Sequence, residues 1–375
     1  MKTKLVVILV ITLFILNTSA LSIELNLNEE QKIKNRFIRF DNCNVISPAE
    51  FDLVDELLIS WPSFIVDLVY YTDINPYYVD LISSTEDVLN VTINVNNIIH
   101  KLYVKTILLK NNVSLENVTF SDIPTNSNWI RDYGPFFVYK DSELNIVDFR
   151  FTGYTFMPDF MDDLYPFFFG IKNRIRPYIF TNFLMKIQGG NYMSDGNKTG
   201  FVADKIFKID NPGLTEEQII ERLKCFLGLD KLIVLKSQII DLSAGGDGNG
   251  HLDMFAKILS EDTILVGQYV DTNDTNYQIL EYNADYLDSL GYNVVRIPML
   301  RNPENNRIWT YTNSLIINTI DKKVVLVPTY STSTDQQALE IYEQLMPDFE
   351  IRSVNSRIII DWCGAIHCST MTVPV

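Results

Sequence analysis

The chain has 375 residues, 47% of them hydrophobic, and carries 31 basic against 47 acidic side chains for a formal net charge of −16. That length and apolar content can bury a large core, while the negative charge repels nucleic acid and anionic lipid and favours cationic partners. A nucleic-acid partner is therefore not expected, and no Pro/Gly/Ser-rich linker or low-complexity block divides the chain into separate modules.

The first residues read MKTKLVVILVITLFILNTSALS, with Lys2 and Lys4 ahead of an apolar run from Leu5 to Leu16 and small residues at Thr18 and Ala20. A run of that length is too short to cross a bilayer core and has the form of a secretory leader. Residues 1–20 are expected to be a signal peptide and 21–375 one mature domain, secreted or in the endomembrane lumen. Beyond the leader no apolar stretch reaches about 18 residues, so no membrane association is expected after cleavage. Asn-x-Ser/Thr tripeptides at Asn90, Asn112, Asn117, Asn197 and Asn273 fit the same route, with two or three of them expected to carry glycan.

Along the chain, short runs rich in Val, Ile, Phe and Tyr alternate with amphipathic stretches. Strands are expected at KLYVKTILL (101–109), FFVYK (136–140), NIVDFRF (145–151), TILVGQY (263–269), NVVRIP (293–298), SLIINTI (314–320) and KVVLVPTY (323–330). Helical spacing marks 215–228, where Thr215 is placed to cap and Gly228 to stop, together with 276–291 and 333–346. SLIINTIDKKVVLVP reads as a hairpin turning at Asp321 and Lys322. The class is mixed α/β, and no repeat is legible by eye.

Four segments set polar residues beside glycines in apolar surroundings: NWIRDYGPFFV (128–138), IQGGNYMSDGNKTGF (187–201), GGDGNGHLDMFAKI (245–258) and the closing CGAIHCSTMTVP. Each reads as a strand ending in a loop, with glycine where backbones bend or approach a ligand. His251 and Asp253 share a face if that stretch is a strand, and Asp132 offers a second acid. Paired carboxylates suit a planar guanidinium with several N–H donors. Cys368 supplies a nucleophile, which a nearby imidazole helps to ionise. Taken singly, each also has an ordinary structural reading: His251 with Asp253 as a hydrogen-bonded turn pair, and Asp132 as the ion-pair partner of Arg131. His100 reads as a surface or packing residue, and neither the three histidines nor the 247–253 acidic run has metal-ligand spacing. No metal or cofactor is expected.

Together, R-D-Y-G-P at 131–135, G-G-N at 189–191 with D-G at 195–196, G-H-x-D at 250–253, T-N-S at 312–314 and I-H-C-x-T at 366–370 resemble the Porphyromonas-type peptidyl-arginine deiminase and agmatine deiminase family. The resemblance runs from about residue 45 to the end. It implies a five-bladed pseudo-symmetric α/β propeller, the pentein fold, of ββαβ units, and a metal-free hydrolase. Residue by residue, it implies that Asp132 and Asp253 grip the guanidinium and Cys368 attacks its carbon through a covalent thiouronium. His251 then protonates the leaving amine and activates water, and Asn313 orients the substrate. Arg131, Trp129, Gly190 and Asn191 are expected to line the substrate pocket. Lys198 and Cys363 stand where relatives commonly have glycine. The implied partner is an arginine-containing peptide or a small guanidine. Export favours peptidyl-arginine, converted to citrulline and ammonia, over agmatine, and an inactive binder of cationic peptides is the reading from another class. Cys368 is expected to be a free thiol, with the pairing of Cys43, Cys225 and Cys363 open.

Overall fold

A computed structural model describes residues 44–62, 74–153, 160–180 and 185–375. The expected signal peptide and Cys43 lie outside the described residues. Three strands, β1 (Val54–Ser60), β2 (Asn90–Asn94) and β3 (Val118–Ser121), run parallel in the first sheet. The second sheet holds β4 (Phe136–Lys140), β5 (Glu143–Asp148) and β6 (Arg176–Phe180), and the third β7 (Tyr192–Ser194), β8 (Thr199–Ala203) and β9 (Lys231–Leu235). The fourth contains β10 (Ala256–Ile258), β11 (Thr263–Tyr269), β12 (Asn293–Arg301) and β13 (Ile308–Thr310). The fifth contains β14 (Leu315–Asn318), β15 (Lys323–Thr329) and β16 (Glu350–Asn355).

In sheets two to five the first two strands pair antiparallel and the second and third parallel. A parallel pair needs a crossover. The helices Asn75–Ser83 (α1), Tyr165–Asn173 (α3), Glu216–Leu227 (α4), Tyr277–Ser289 (α5) and Thr334–Leu345 (α6) supply one for each sheet, while α2 (Ile98–Lys110) joins β2 to β3. The first sheet lacks its own leading antiparallel strand. It is supplied by β17 (Thr370–Pro374), which returns from the end of the chain to pair with β1, Leu57 opposite Thr372. Five ββαβ units in sequence, the first completed by the last strand, make this the five-bladed α/β propeller.

Local chemistry explains the elements. Thr215 Oγ1 accepts from Gln218 N (3.3 Å) while Gln218 Oε1 accepts from Thr215 N (3.0 Å), a reciprocal box that opens α4. Gly228 ends it at φ +70°, where a methyl carbon would stand 1.8 Å from Val45 O. The 314–329 hairpin forms as read, Asn318 opposite Lys323.

The stretch 101–109 is not a strand. It belongs to α2, which Asn97 caps by accepting from His100 N (2.9 Å), and whose buried His100, Val104 and Leu108 recur every fourth residue. Counting apolar residues without their spacing hid that period, and His100 takes the packing role expected of it.

The final segment is core. Ala365 and Ile366 are fully buried and join an apolar cluster that includes Leu57 and Ile59 of β1 and Leu315–Ile317 of β14. Burying one such isoleucine contributes about 1.5–3 kcal/mol, which holds the tail that carries Cys368.

Candidate active site

The polar segments are turns that lead into the first strand of a sheet, the reverse of the expected strand-then-loop order. Asp132 lies in the helical turn Ile130–Tyr133 before β4, and Gly190 in the 3-10 turn Gly189–Asn191 before β7. Asp253 sits in the 3-10 turn Leu252–Met254 before β10, with His251 at its N-cap rather than on a strand. Asn313 precedes β14 by two residues, and Cys368 precedes β17 by two. The five sheets thus each contribute one turn.

These turns converge at Gly190. A methyl carbon there would stand 2.7 Å from His251 Nδ1, 2.8 Å from Asp132 Oδ1 and 3.0 Å from Asp253 Oδ2. The missing side chain is what lets three functional groups face one small space. Gly190 N donates to Asp132 Oδ1 (3.1 Å), and His251 Nδ1 faces the same oxygen at 3.4 Å. Cys368 Sγ donates to Asp253 Oδ2 (3.3 Å) and accepts from Asn313 Nδ2 (3.1 Å). Asn313 Oδ1 in turn accepts from the backbone N–H of Ala365 (3.0 Å) and Cys368 (3.2 Å), which fixes the loop carrying the thiol. All five residues, Asp132, His251, Asp253, Asn313 and Cys368, are buried. Asp253 Oδ1 and His251 Nδ1 have no hydrogen-bond partner there, an unmet demand suited to a donor-rich cation.

Two residues behind His251 set its state. His251 Nε2–H donates to Gln188 Oε1 (2.7 Å), which also accepts from Lys205 Nζ (2.7 Å), so the amide oxygen faces the ring and the neutral imidazole keeps its lone pair on Nδ1. Burial, and then the Lys205 charge, push His251 well below its ordinary value. Burial, followed by the charges of Asp253 and Asp132, pushes the Cys368 thiol well above its own, so the resting site holds a thiol and a neutral imidazole.

The remaining expected pocket residues divide. Trp129 lies against the nucleophile loop: a methyl carbon at Gly364 would stand 2.6 Å from Trp129 Cζ3 and 2.9 Å from Cys368 Cβ. Arg131 bonds to the thiol loop and braces it, its Nε donating to His367 O (3.3 Å) and its backbone N to Cys368 O (3.2 Å). Asn191 does not reach the chamber. Its amide bonds both ways to the backbone of Ala203 (3.0 and 3.2 Å) and shapes the β7–β8 hairpin. Glycine neighbours made Asn191 look like a ligand group, whereas both ends of its buried amide are engaged by the Ala203 backbone.

Sequence reading assigned no role to Gln188, Lys205, Glu50, Lys257 or His367. The first and last directly precede G-G-N and Cys368, a positional signal. Lys257, a lone cation inside the apolar MFAKIL run, was the other available one. Among the described residues no group of three or more His, Cys, Asp or Glu could hold a metal ion. Cys363 and Cys368 are free thiols and Cys225 is disulfide-bonded.

The sequence and the fold both match known proteins. The family model of the Porphyromonas-type peptidyl-arginine deiminases matches residues 46–374. The agmatine deiminase of Pseudomonas syringae pv. tomato is 26% identical over 302 residues, covering 70% of this chain and 78% of that protein. The solved agmatine deiminases of C. jejuni (TM-score 0.72, 21% identity) and Enterococcus faecalis (TM-score 0.71, 21% identity) cover 88% of this chain and 95% and 96% of theirs, and share its fold. A central ring of turns on a five-bladed α/β propeller defines the class. The chain belongs to the Porphyromonas-type peptidyl-arginine deiminase family, hydrolases that act on carbon–nitrogen bonds of amidines.

Proposed function

We propose that the chain deiminates a small free guanidine of the agmatine type, yielding a ureido product and ammonia. The observation that carries this is enclosure: His251, Asp253 and Asn313 are 0% exposed and Cys368 and Asp132 2%, so the reacting groups lie below the surface, a setting that suits a guanidinium on a slender arm. The relatives named agmatine deiminases support the same choice.

In this reading Asp132 and Asp253 hold the guanidinium by paired hydrogen bonds. The incoming positive charge offsets the two carboxylates that keep Cys368 protonated, so the thiol gives its proton to Nδ1 of His251 as sulfur bonds to the guanidinium carbon. His251 returns that proton to the departing nitrogen, and ammonia leaves as the C–N bond breaks. The imidazole then takes a proton from water, whose oxygen bonds to the same carbon. The C–S bond breaks as the hydroxyl on that carbon becomes the ureido carbonyl, His251 returns its proton to the departing sulfur, and the hydroxyl proton passes to solvent, where it converts ammonia to ammonium.

A second reading, arginine within peptides, is favoured by the expected leader and by Asn90, Asn112, Asn197 and Asn273, which are all exposed and open to glycosylation in a secretory route. Purified mature protein assayed for ureido product on agmatine, free arginine and an arginine peptide decides between them. The small-guanidine reading expects the highest kcat/KM on agmatine. A higher value on the peptide overturns it in favour of the second reading. Product from none, with retained binding of cationic peptides, would establish the inactive binder.

A further inference from the structure

Behind the nucleophile lies a second buried layer to which the reaction as described assigns no role. His367, 1% exposed, stands between two acids, with Nδ1 2.7 Å from Asp253 Oδ2 and Nε2 2.8 Å from Glu50 Oε2. Carboxylate oxygens only accept, so hydrogen bonds at both ring nitrogens require two N–H donors, which only the imidazolium has. Glu50 is held as a carboxylate by its ion pair with the buried Lys257 ammonium, so it has no proton to give. Its other oxygen, Oε1, accepts from Lys257 Nζ (2.5 Å) and from Ile316 N (2.7 Å), the pattern of an ionised carboxylate. Lys257, fully buried, also donates to Ser314 O (2.7 Å), next to Asn313.

We propose that His367 is a positioning residue of this site, held as an imidazolium between Glu50 and Asp253 so that Asp253 turns Oδ2 to the Cys368 thiol and leaves Oδ1 for the guanidinium. The proposal rests on the deiminase reading for its catalytic consequence, while the charge state of His367 does not.

Glu50 and Asp253 contact His367 on the negative side, with Asp132 joined to the cluster through Arg131; Arg131 and Lys257 are its cations, with the Cys368 thiol and neutral His251 beside them. With His367 charged, three cations balance three carboxylates. With it neutral, the cluster has one buried negative charge too many, at the position that most opposes thiolate formation. Burial raises the Asp253 carboxyl, yet the bond and charge from His367 hold it below its ordinary value, in keeping with this balance. Asp253 accepts the thiol hydrogen bond and faces Gly190 with the same Oδ2, so rotation of its carboxylate would lose both alignments.

The test combines a spectroscopic and a kinetic readout. In resting, substrate-free protein labelled with 15N-histidine, both His367 nitrogens are expected in the protonated range, assigned by their loss in His367→Gln. One nitrogen in the unprotonated range at pH 7 overturns the proposal. Against agmatine, or whichever guanidine wild type turns over, His367→Gln is expected to lower kcat at least a hundredfold, and Glu50→Gln at least tenfold, with KM changed less. His367→Gln is expected to raise the pH at which the thiolate absorbance of Cys368, isolated in a Cys363→Gly background, develops. Glu50→Gln with wild-type kcat and both His367 nitrogens still protonated sinks the proposal, even if His367→Gln fails to fold. Should wild type turn over no guanidine, the deiminase reading fails, and the 15N signature together with the thiolate titrations still decides the state of His367.

Discussion

The side chains around Gly190 show that one missing carbon can be as consequential as a catalytic group. Gly190→Ala would drive its methyl group to within 3.0 Å of His251, Asp132 and Asp253 together. Displacements near 1 Å cost on the order of a hundredfold in rate, so kcat/KM is expected to fall by at least about that factor while circular dichroism stays native. A second single-residue prediction concerns Gln188, an amide where His251 meets no compensating charge. Gln188→Glu sets a carboxylate 2.7 Å from Nε2, which favours the imidazolium and raises the His251 pKa. Because His251 acts as a base in the free enzyme, the acid limb of kcat/KM should then move to higher pH. An unmoved limb would assign the base role elsewhere.

Turns, rather than strands or helices, hold the chemistry, and two of them carry strain. Cys363 (φ +71°) and Lys198 (φ +64°) adopt the left-handed backbone, at the two positions where the family resemblance led us to note glycine in relatives. For a non-glycine residue that conformation costs about 1–2 kcal/mol. Cys363→Gly is therefore expected to unfold at an equal or higher denaturant concentration than wild type, with activity retained. The 247–250 turn is held differently: Asp247 Oδ1 accepts from Asn249 N (3.0 Å) and Gly250 N (2.7 Å), while burial raises this carboxyl to about 6. A folded value above the unfolded one means that its stabilising contribution is present at low pH and is lost as pH climbs through about 6. The melting temperature of Asp247→Asn relative to wild type should thus improve from pH 4 to about pH 6 and level off above pH 7.

Periodic elements such as β4, β11 and α4 were legible because their spacing or caps are local. The order of turn and strand at the site was not, since a three-residue 3-10 turn such as Leu252–Met254 leaves no period to read. Lys205 and Glu50 were hidden for another reason: they matter only through neighbours distant in the chain.

At the scale of the molecule, the absence of a visible repeat is explained by what each repeat contributes. Asp132, Gly190, Asp253, Asn313 and Cys368 all stand two to four residues before the leading strand of a sheet, five versions of one position occupied by five different residues. Pseudo-symmetry therefore survives in topology and not in letters, which is why the motifs, and not self-similarity, revealed the architecture. Removing Thr370–Val375 takes away the strand paired with β1, and is expected to abolish turnover and lower the unfolding midpoint together. Loss of activity with an unchanged midpoint would show that β17 serves only to aim the thiol.

That pairing joins segments more than three hundred positions apart, the costliest kind of contact for a folding chain to find. An intermediate with four blades assembled can already hide most of its apolar surface, yet it has no sulfur at its centre. During refolding, fluorescence should recover first and turnover afterwards, so the lag between the two clocks the closing of the ring.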